Sequence, residues 1–86
     1  MTELEQAPGI GKVTVDKLGK VNIDSLEKLE KIGSMNAFLL VREQVDKGAC
    51  LSFLYGLEGA VQGKRSKELS IETKEELRTF FHSLEK

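Results

Sequence analysis

The segment 49–62 is apolar around almost its whole helical circumference. Leu, Phe, Tyr, Val, Ala, Cys and Gly fill most of its positions, and Glu58 is its single charged residue. A helix that is apolar on all sides belongs in the interior of a helical protein. The segment therefore predicts a central helix over about 49–62, against which the rest of the chain packs.

The other segments carry the three-to-four-residue spacing of amphipathic helices rather than the alternation of strands. Capping boxes at Thr2–Glu5 and Asp24–Glu27 mark helix starts, and Ser34 is the predicted cap of another helix. We expect that helix to bury a stripe formed by Met35, Phe38, Leu39 and Val45. The last helix is predicted to begin near Ser70 or at Thr73, which with Glu76 forms a further capping box. The fold class is all-α: a compact bundle of five to six short helices.

An internal repeat relates two parts of the chain at an offset of 22 residues. Ile10-Gly11 aligns with Ile32-Gly33, and Leu18 aligns with Leu40. Each copy has the pattern helix, tight apolar-glycine turn, helix, and repeats of this kind bear directly on the fold. We predict two hairpin repeats over about 3–20 and 25–46 with approximate twofold symmetry, the central helix over about 49–62 and a last helix over about 71–85.

Length, charge and cysteine content limit the function classes. The 86 residues fit one domain, 1–86. The net charge is −1, whereas free-standing nucleic-acid binders usually carry a basic excess. One cysteine and one histidine exclude a disulfide and a four-ligand zinc site and favour a reducing, cytoplasmic location. No membrane span, metal, cofactor or catalytic constellation is predicted, so we expect no enzyme.

The turn Pro8-Gly9-Ile10-Gly11-Lys12 is the motif that carries chemistry. Its glycines let a phosphate approach the main chain, and the amides that follow lie at a helix N-terminus, which favours an anion. Lys12, Lys17 and Lys20 add positive charge, opposed only by Asp16. We therefore predict a nucleic-acid phosphate site at Gly9, Ile10, Gly11, Lys12, Lys17 and Lys20. A glycine turn between two packed helices, with no ligand, is the alternative.

A second basic cluster, formed by Lys64, Arg65 and Lys67, follows the central helix. Cations at that position stabilise a helix C-terminus. The same residues are candidates for a second phosphate contact. Cys50 is predicted to be an inert core thiol and His82 a surface residue.

The turn resembles the hairpin of the helix-hairpin-helix family, which is related to SAM-like folds. The whole chain, over about residues 4–84, resembles the C-terminal domain of the TfoX/Sxy family of bacterial competence regulators. The residues that carry this resemblance are Pro8 to Lys12, Leu18 to Ile23, Ser25 to Leu29, Ile32 to Ser34, Ala37-Phe38, the run Cys50 to Gly63, Leu69, and Lys74 to Leu77. Longer family members have a separate N-terminal domain before this one, which is absent here, so we expect a stand-alone chain.

The resemblance implies a role near DNA transformation or transcription regulation. Two functions follow as expectations. The first is weak, nonspecific binding of the nucleic-acid backbone through the first hairpin. The second is protein–protein interaction, either self-association as a homodimer or docking on a transcription regulator or polymerase subunit, without direct DNA contact.

Overall fold

Five α-helices and one short 3₁₀ helix make up residues 10–84, the part of the chain that the computed structural model describes. The predicted first helix over about 3–7 lies outside these residues. Between 10 and 84 there is no strand, and the all-α prediction is confirmed. The elements are α1 (Lys12–Gly19), α2 (Leu26–Ile32), α3 (Ser34–Gln44), α4 (Leu51–Gln62), the 3₁₀ helix Ser66–Glu68 and α5 (Ile71–Ser83).

The apolar helix α4 lies at the centre, as its composition predicts. It packs against α2, α3, the 3₁₀ helix and α5. Its side chains Leu54, Leu57 and Ala60 are buried, and Phe38 of α3 and Leu77 of α5 complete the core around them. The Tyr55 hydroxyl donates to the Lys74 carbonyl at 3.4 Å, so the ring is packed and its polar end joins α4 to α5.

Serines cap α2 and α5 in place of the predicted capping boxes. Ser25 Oγ accepts from the Lys28 N–H at 3.2 Å, while the Asp24 carboxylate pairs with the Lys28 ammonium at 2.9 Å. Ser70 Oγ accepts from the Thr73 N–H at 3.1 Å. The Asp24–Glu27 box was wrong, because Ser25, one residue later, occupies the capping position. Of the two starts predicted for the last helix, Ser70 is confirmed and the Thr73–Glu76 box is wrong.

Helix α3 buries a different face from the predicted one. Gly33 is its N-cap, and Ser34 is its first residue rather than its cap. The buried positions are Ser34, Ala37, Phe38 and Val41, which recur at i, i+3, i+4 and i+7. The small side chains of Ser34 and Ala37 face the core, so the buried stripe is rotated away from Leu39. Hydrophobicity alone favours burial of Leu39.

Helix α3 ends before residue 46, the predicted end of the second hairpin repeat. Helix α3 ends at Gln44, because the Asp46 carboxylate accepts from the Gly48 N–H at 3.0 Å and closes a turn. Ala49 is buried after this turn, and Cys50 is the exposed N-cap of α4. The prediction of a core thiol was therefore wrong.

Nowhere between residues 10 and 84 is a helix both long and apolar enough to cross a membrane.

Candidate nucleic-acid interface

The first glycine turn leads directly into α1. Ile10 is 8% exposed and contacts the core, which fixes the chain just before the helix. Gly11 is the N-cap of α1, with φ −105° and ψ 179°. Gly9, which belongs to the predicted site, lies outside the described residues. The turn therefore places an anchored apolar side chain beside an exposed stretch of main chain.

The N-terminus of α1 is open within residues 10–84. The first bond of the helix runs from the Val15 N–H to the Gly11 carbonyl at 3.0 Å, and no residue of this range accepts from the N–H groups of Lys12, Val13 or Thr14. Gly11 gives no side-chain cap, and the first turn contains no acidic residue. A Cβ atom placed on Gly11 would meet no described atom within 4 Å. These N–H groups can donate hydrogen bonds to an anion that approaches from solvent.

The three lysines of the predicted site have different surroundings. Lys12 is exposed, and Lys20 lies 3.7 Å from Asp16 in a solvent-exposed pair. Lys17 is held internally: its Nζ lies 2.7 Å from Asp46 Oδ2 and 5.5 Å from the centre of the Phe53 ring. The hydrogen bond from Lys17, together with that from the Gly48 N–H, holds the pKa of the Asp46 carboxyl below its usual range. Lys12 and Lys20 are thus the cations that face solvent most freely on α1.

The second glycine turn lies beside an internal carboxylate. The repeat aligns Gly11 with Gly33, and each glycine is the N-cap of the helix that follows. Next to Gly33, the Ser34 hydroxyl donates to Glu58 Oε1 at 2.5 Å, and Gln62 Nε2 donates to the other carboxylate oxygen at 2.5 Å. A negative charge near the first turn of a helix is favourable. The protein thus supplies a carboxylate at the N-terminus of α3 and, in the part of the chain described, none at the N-terminus of α1.

The sequence does not reveal the partners of Glu58 and Asp46. Glu58 stands out as the lone charge in an apolar helix, which indicates a partner but does not identify Ser34. Asp46 gives no sequence signal that links it to Lys17, since the two residues are far apart in the chain.

The second basic cluster follows the C-terminus of α4. Lys64, Arg65 and Lys67 are exposed. The Lys64 N–H donates to the Gly59 carbonyl at 2.7 Å, so this segment packs at residue 59 of α4, whereas α1 reaches α4 at Phe53. Residues 53 and 59 are separated by about 9 Å along a helix axis. The two predicted basic groups therefore meet different parts of α4.

The fold and the turn define a class of protein: a small, all-helical domain in which a glycine turn leads into a solvent-exposed, lysine-bearing helix N-terminus. The chain belongs to the TfoX C-terminal domain family, whose model matches residues 1–81. This is a regulatory-type domain family, related to competence regulators. The resemblance that the sequence motifs carry is thereby confirmed.

Solved structures from Listeria monocytogenes share the fold. An uncharacterized protein in a triclinic crystal form is 44% identical, with a TM-score of 0.95 over 98% of this chain and 94% of that one. A protein of unknown function in a tetragonal form is also 44% identical, with a TM-score of 0.91 over 94% of this chain and 98% of that one. No curated protein matches the chain significantly.

Proposed function

We propose that this chain is a non-enzymatic regulatory module of the competence type that binds the nucleic-acid backbone weakly through the turn before α1. The observation that carries the proposal is the contrast between the two glycine turns. The α3 start has the Glu58 carboxylate beside it, whereas the equivalent start of α1 has exposed amides and the exposed Lys12. A backbone phosphate offers α1 the negative charge that Glu58 offers α3.

The expected binding is sequence-independent and weak. Contacts from amides and lysines to phosphates fix position on a duplex but do not read bases. The net charge of −1 gives no long-range attraction to add to these local contacts. We expect a dissociation constant in the nonspecific range, about 10⁻⁶ to 10⁻⁴ M.

The test compares two glycine-to-valine variants at opposite ends of α1. Gly11 has an extended backbone that valine adopts readily, and Gly19, like Gly11, has no described atom within 4 Å of an added Cβ. Gly11→Val crowds the amides, and we expect it to weaken duplex DNA binding about tenfold, as for the loss of one charge-assisted hydrogen bond. Gly19→Val is the matched control and should bind like the wild type. Lys17→Ala should lose less than Gly11→Val, because Lys17 is already paired.

Amide NMR titration with a short DNA duplex measures both the affinity and the location. We expect shifts confined to residues 9–14 and to the adjacent lysines. Between about 50 mM and about 200 mM salt, the affinity should fall about tenfold if two phosphates are neutralised. If Gly11→Val bound as tightly as Gly19→Val while Lys17→Ala lost affinity, binding would be diffuse and electrostatic, and the proposal would be refuted. An absence of shifts at low salt would refute it as well.

A further inference from the structure

A groove with an apolar floor and an acidic rim lies between α5 and the start of α3. Its volume is about 630 Å³; Met35 and Phe80 form its floor, and Glu72, Glu75 and Glu76 line its wall. Residues 72, 75, 76 and 79 recur at i, i+3, i+4 and i+7, so one face of α5 presents this wall. Within residues 10–84, none of the three glutamates forms an ion pair. The groove suits an apolar side chain that is flanked by cations.

The opposite arrangement occurs on α1 of the same chain. Val13 is 67% exposed. Among residues 10–84, Val13 and Ile71 are the two large apolar residues that are exposed. It borders a shallow cavity of about 400 Å³ together with Lys12, Lys17 and Lys20. Two aspartates also line this cavity, and they pair with Lys17 and Lys20, which leaves Lys12 without a described acidic partner. The α1 face is thus an apolar side chain among lysines.

The two surfaces lie at opposite ends of α3. Met35 is in the first turn of that helix and belongs to the groove, while Val45 is its C-cap and lines the α1 cavity. Ten helical residues correspond to about 15 Å. One molecule therefore presents two complementary surfaces that are separated from each other. The α1 face of one copy can contact the groove of another copy without any rearrangement of the fold.

We infer that the α1 face of one copy docks into the acidic groove of a second copy, head to tail. Val13 enters the groove over Met35 and Phe80, and Lys12 and Lys20 approach the glutamates. Because the contact joins two different surfaces, further copies can add through it, either in a closed ring or in an open chain. This inference does not rest on nucleic-acid binding, since both surfaces belong to the protein alone.

The association should be weak and sensitive to salt. A stable interface buries about 800 Å² on each partner, which is more than one exposed helix face of so small a domain supplies. We therefore expect a dissociation constant of about 0.1 to 1 mM. The Debye length is about 10 Å at 0.1 M salt and shortens as salt is added, so the attraction between the exposed charges weakens and dissociation should increase with ionic strength.

Charge reversal on each surface tests the inference by sedimentation equilibrium without DNA, from about 50 µM to about 1 mM. Lys12→Glu with Lys20→Glu makes the α1 face acidic, and Glu72→Lys with Glu76→Lys makes the groove basic. Each double variant alone should remain monomeric at concentrations where the wild type associates. An equimolar mixture of the two should associate again, because each surface then meets its complement.

The apolar part of the contact is tested separately. Val13→Ser should raise the dissociation constant about tenfold, the value of one buried valine side chain. Ile71→Ser is the matched control: Ile71 is 72% exposed, lies outside the groove and should leave association unchanged. A wild type that is monomeric throughout, a mixture that stays monomeric, or equal effects of the two serine variants would overturn the inference. None of these results depends on whether DNA binds at Gly11.

Discussion

Gly59 shows how a single missing side chain shapes this domain. A Cβ atom at this position would lie 2.6 Å from the Lys64 carbonyl oxygen and 3.3 Å from backbone atoms of Arg65 and Ser66. The group that approaches Gly59 is the chain that returns from the C-terminus of the same helix, after Gly63 turns it with φ 72°. Only a glycine lets this backbone approach α4 so closely.

We predict that Gly59→Ala destabilises the domain. Backbone atoms cannot move aside as a flexible side chain can, and overpacking of this kind costs about 1–3 kcal/mol. This cost exceeds the gain of up to about 1 kcal/mol that alanine brings to a helix. Urea unfolding measures the difference in free energy of unfolding.

Gly19→Ala is the control for this comparison. An added Cβ there meets no described atom within 4 Å, so only the small effect of helix propensity remains. If Gly59→Ala were as stable as the wild type, the turn at 63–66 would have room that the structure does not show.

At the scale of elements, an ion pair joins α1 to the turn after α3. Lys17 Nζ contacts Asp46 Oδ2 at 2.7 Å, and Asp46 Oδ1 accepts from the Gly48 N–H. The Lys17 and Asp46 side chains are 26% and 35% exposed, and the ammonium also lies over the Phe53 ring. This group connects α1 to both α3 and α4, so it holds the candidate phosphate site in a fixed position on the core.

We predict a specific pH dependence for this connection. The pKa of Asp46 is lowered in the folded state, first by the hydrogen bond from Lys17 and then by that from the Gly48 N–H. Its contribution to stability is therefore complete at neutral pH and is lost as the pH falls below about 4, through the folded-state pKa. Asp46→Asn cannot titrate, so it should be less stable than the wild type at pH 7 and equal to it in acid.

Urea unfolding of both proteins between about pH 2 and about pH 7 measures this convergence. A Lys17→Met background provides the control, since Asp46→Asn should have a smaller effect there. A stability gap that persists unchanged in acid would show that the carboxylate acts through something other than its charge.

Helix existence is predictable from this sequence, whereas helix starts are less so. The apolar periodicity identifies α1 to α5 because packing on one core requires it. The cap of α2 is Ser25, one residue after the predicted Asp24, and α5 begins after Ser70 and not at the Thr73–Glu76 box. In both helices the serine Oγ accepts from the N–H three residues further on. The buried face of α3 includes Ser34, which no hydrophobic pattern indicates. Its burial depends on Glu58 of another helix.

For the molecule as a whole, sequence identifies the candidate turn and not its surroundings. The glycines and the residues that follow them are local features, and they predict the open start of α1. The environment of Lys17 and the carboxylate beside Gly33 depend on which helices meet, which is a property of the tertiary fold. The phosphate site therefore remains a prediction for experiment, whereas the family and the all-helical fold are established.

The position of α4 has a kinetic consequence. Its packing partners include the elements directly before and after it, α3 and the 3₁₀ helix, and α2 also packs on α3. Contacts between sequence neighbours close short loops, so little chain entropy is lost before the contacts form. Low contact order of this kind is typical of domains that fold in microseconds to milliseconds. We predict single-exponential refolding complete within about 10 ms of dilution from urea, measured by stopped-flow circular dichroism. A main refolding phase lasting seconds would contradict the prediction that local contacts set the folding rate.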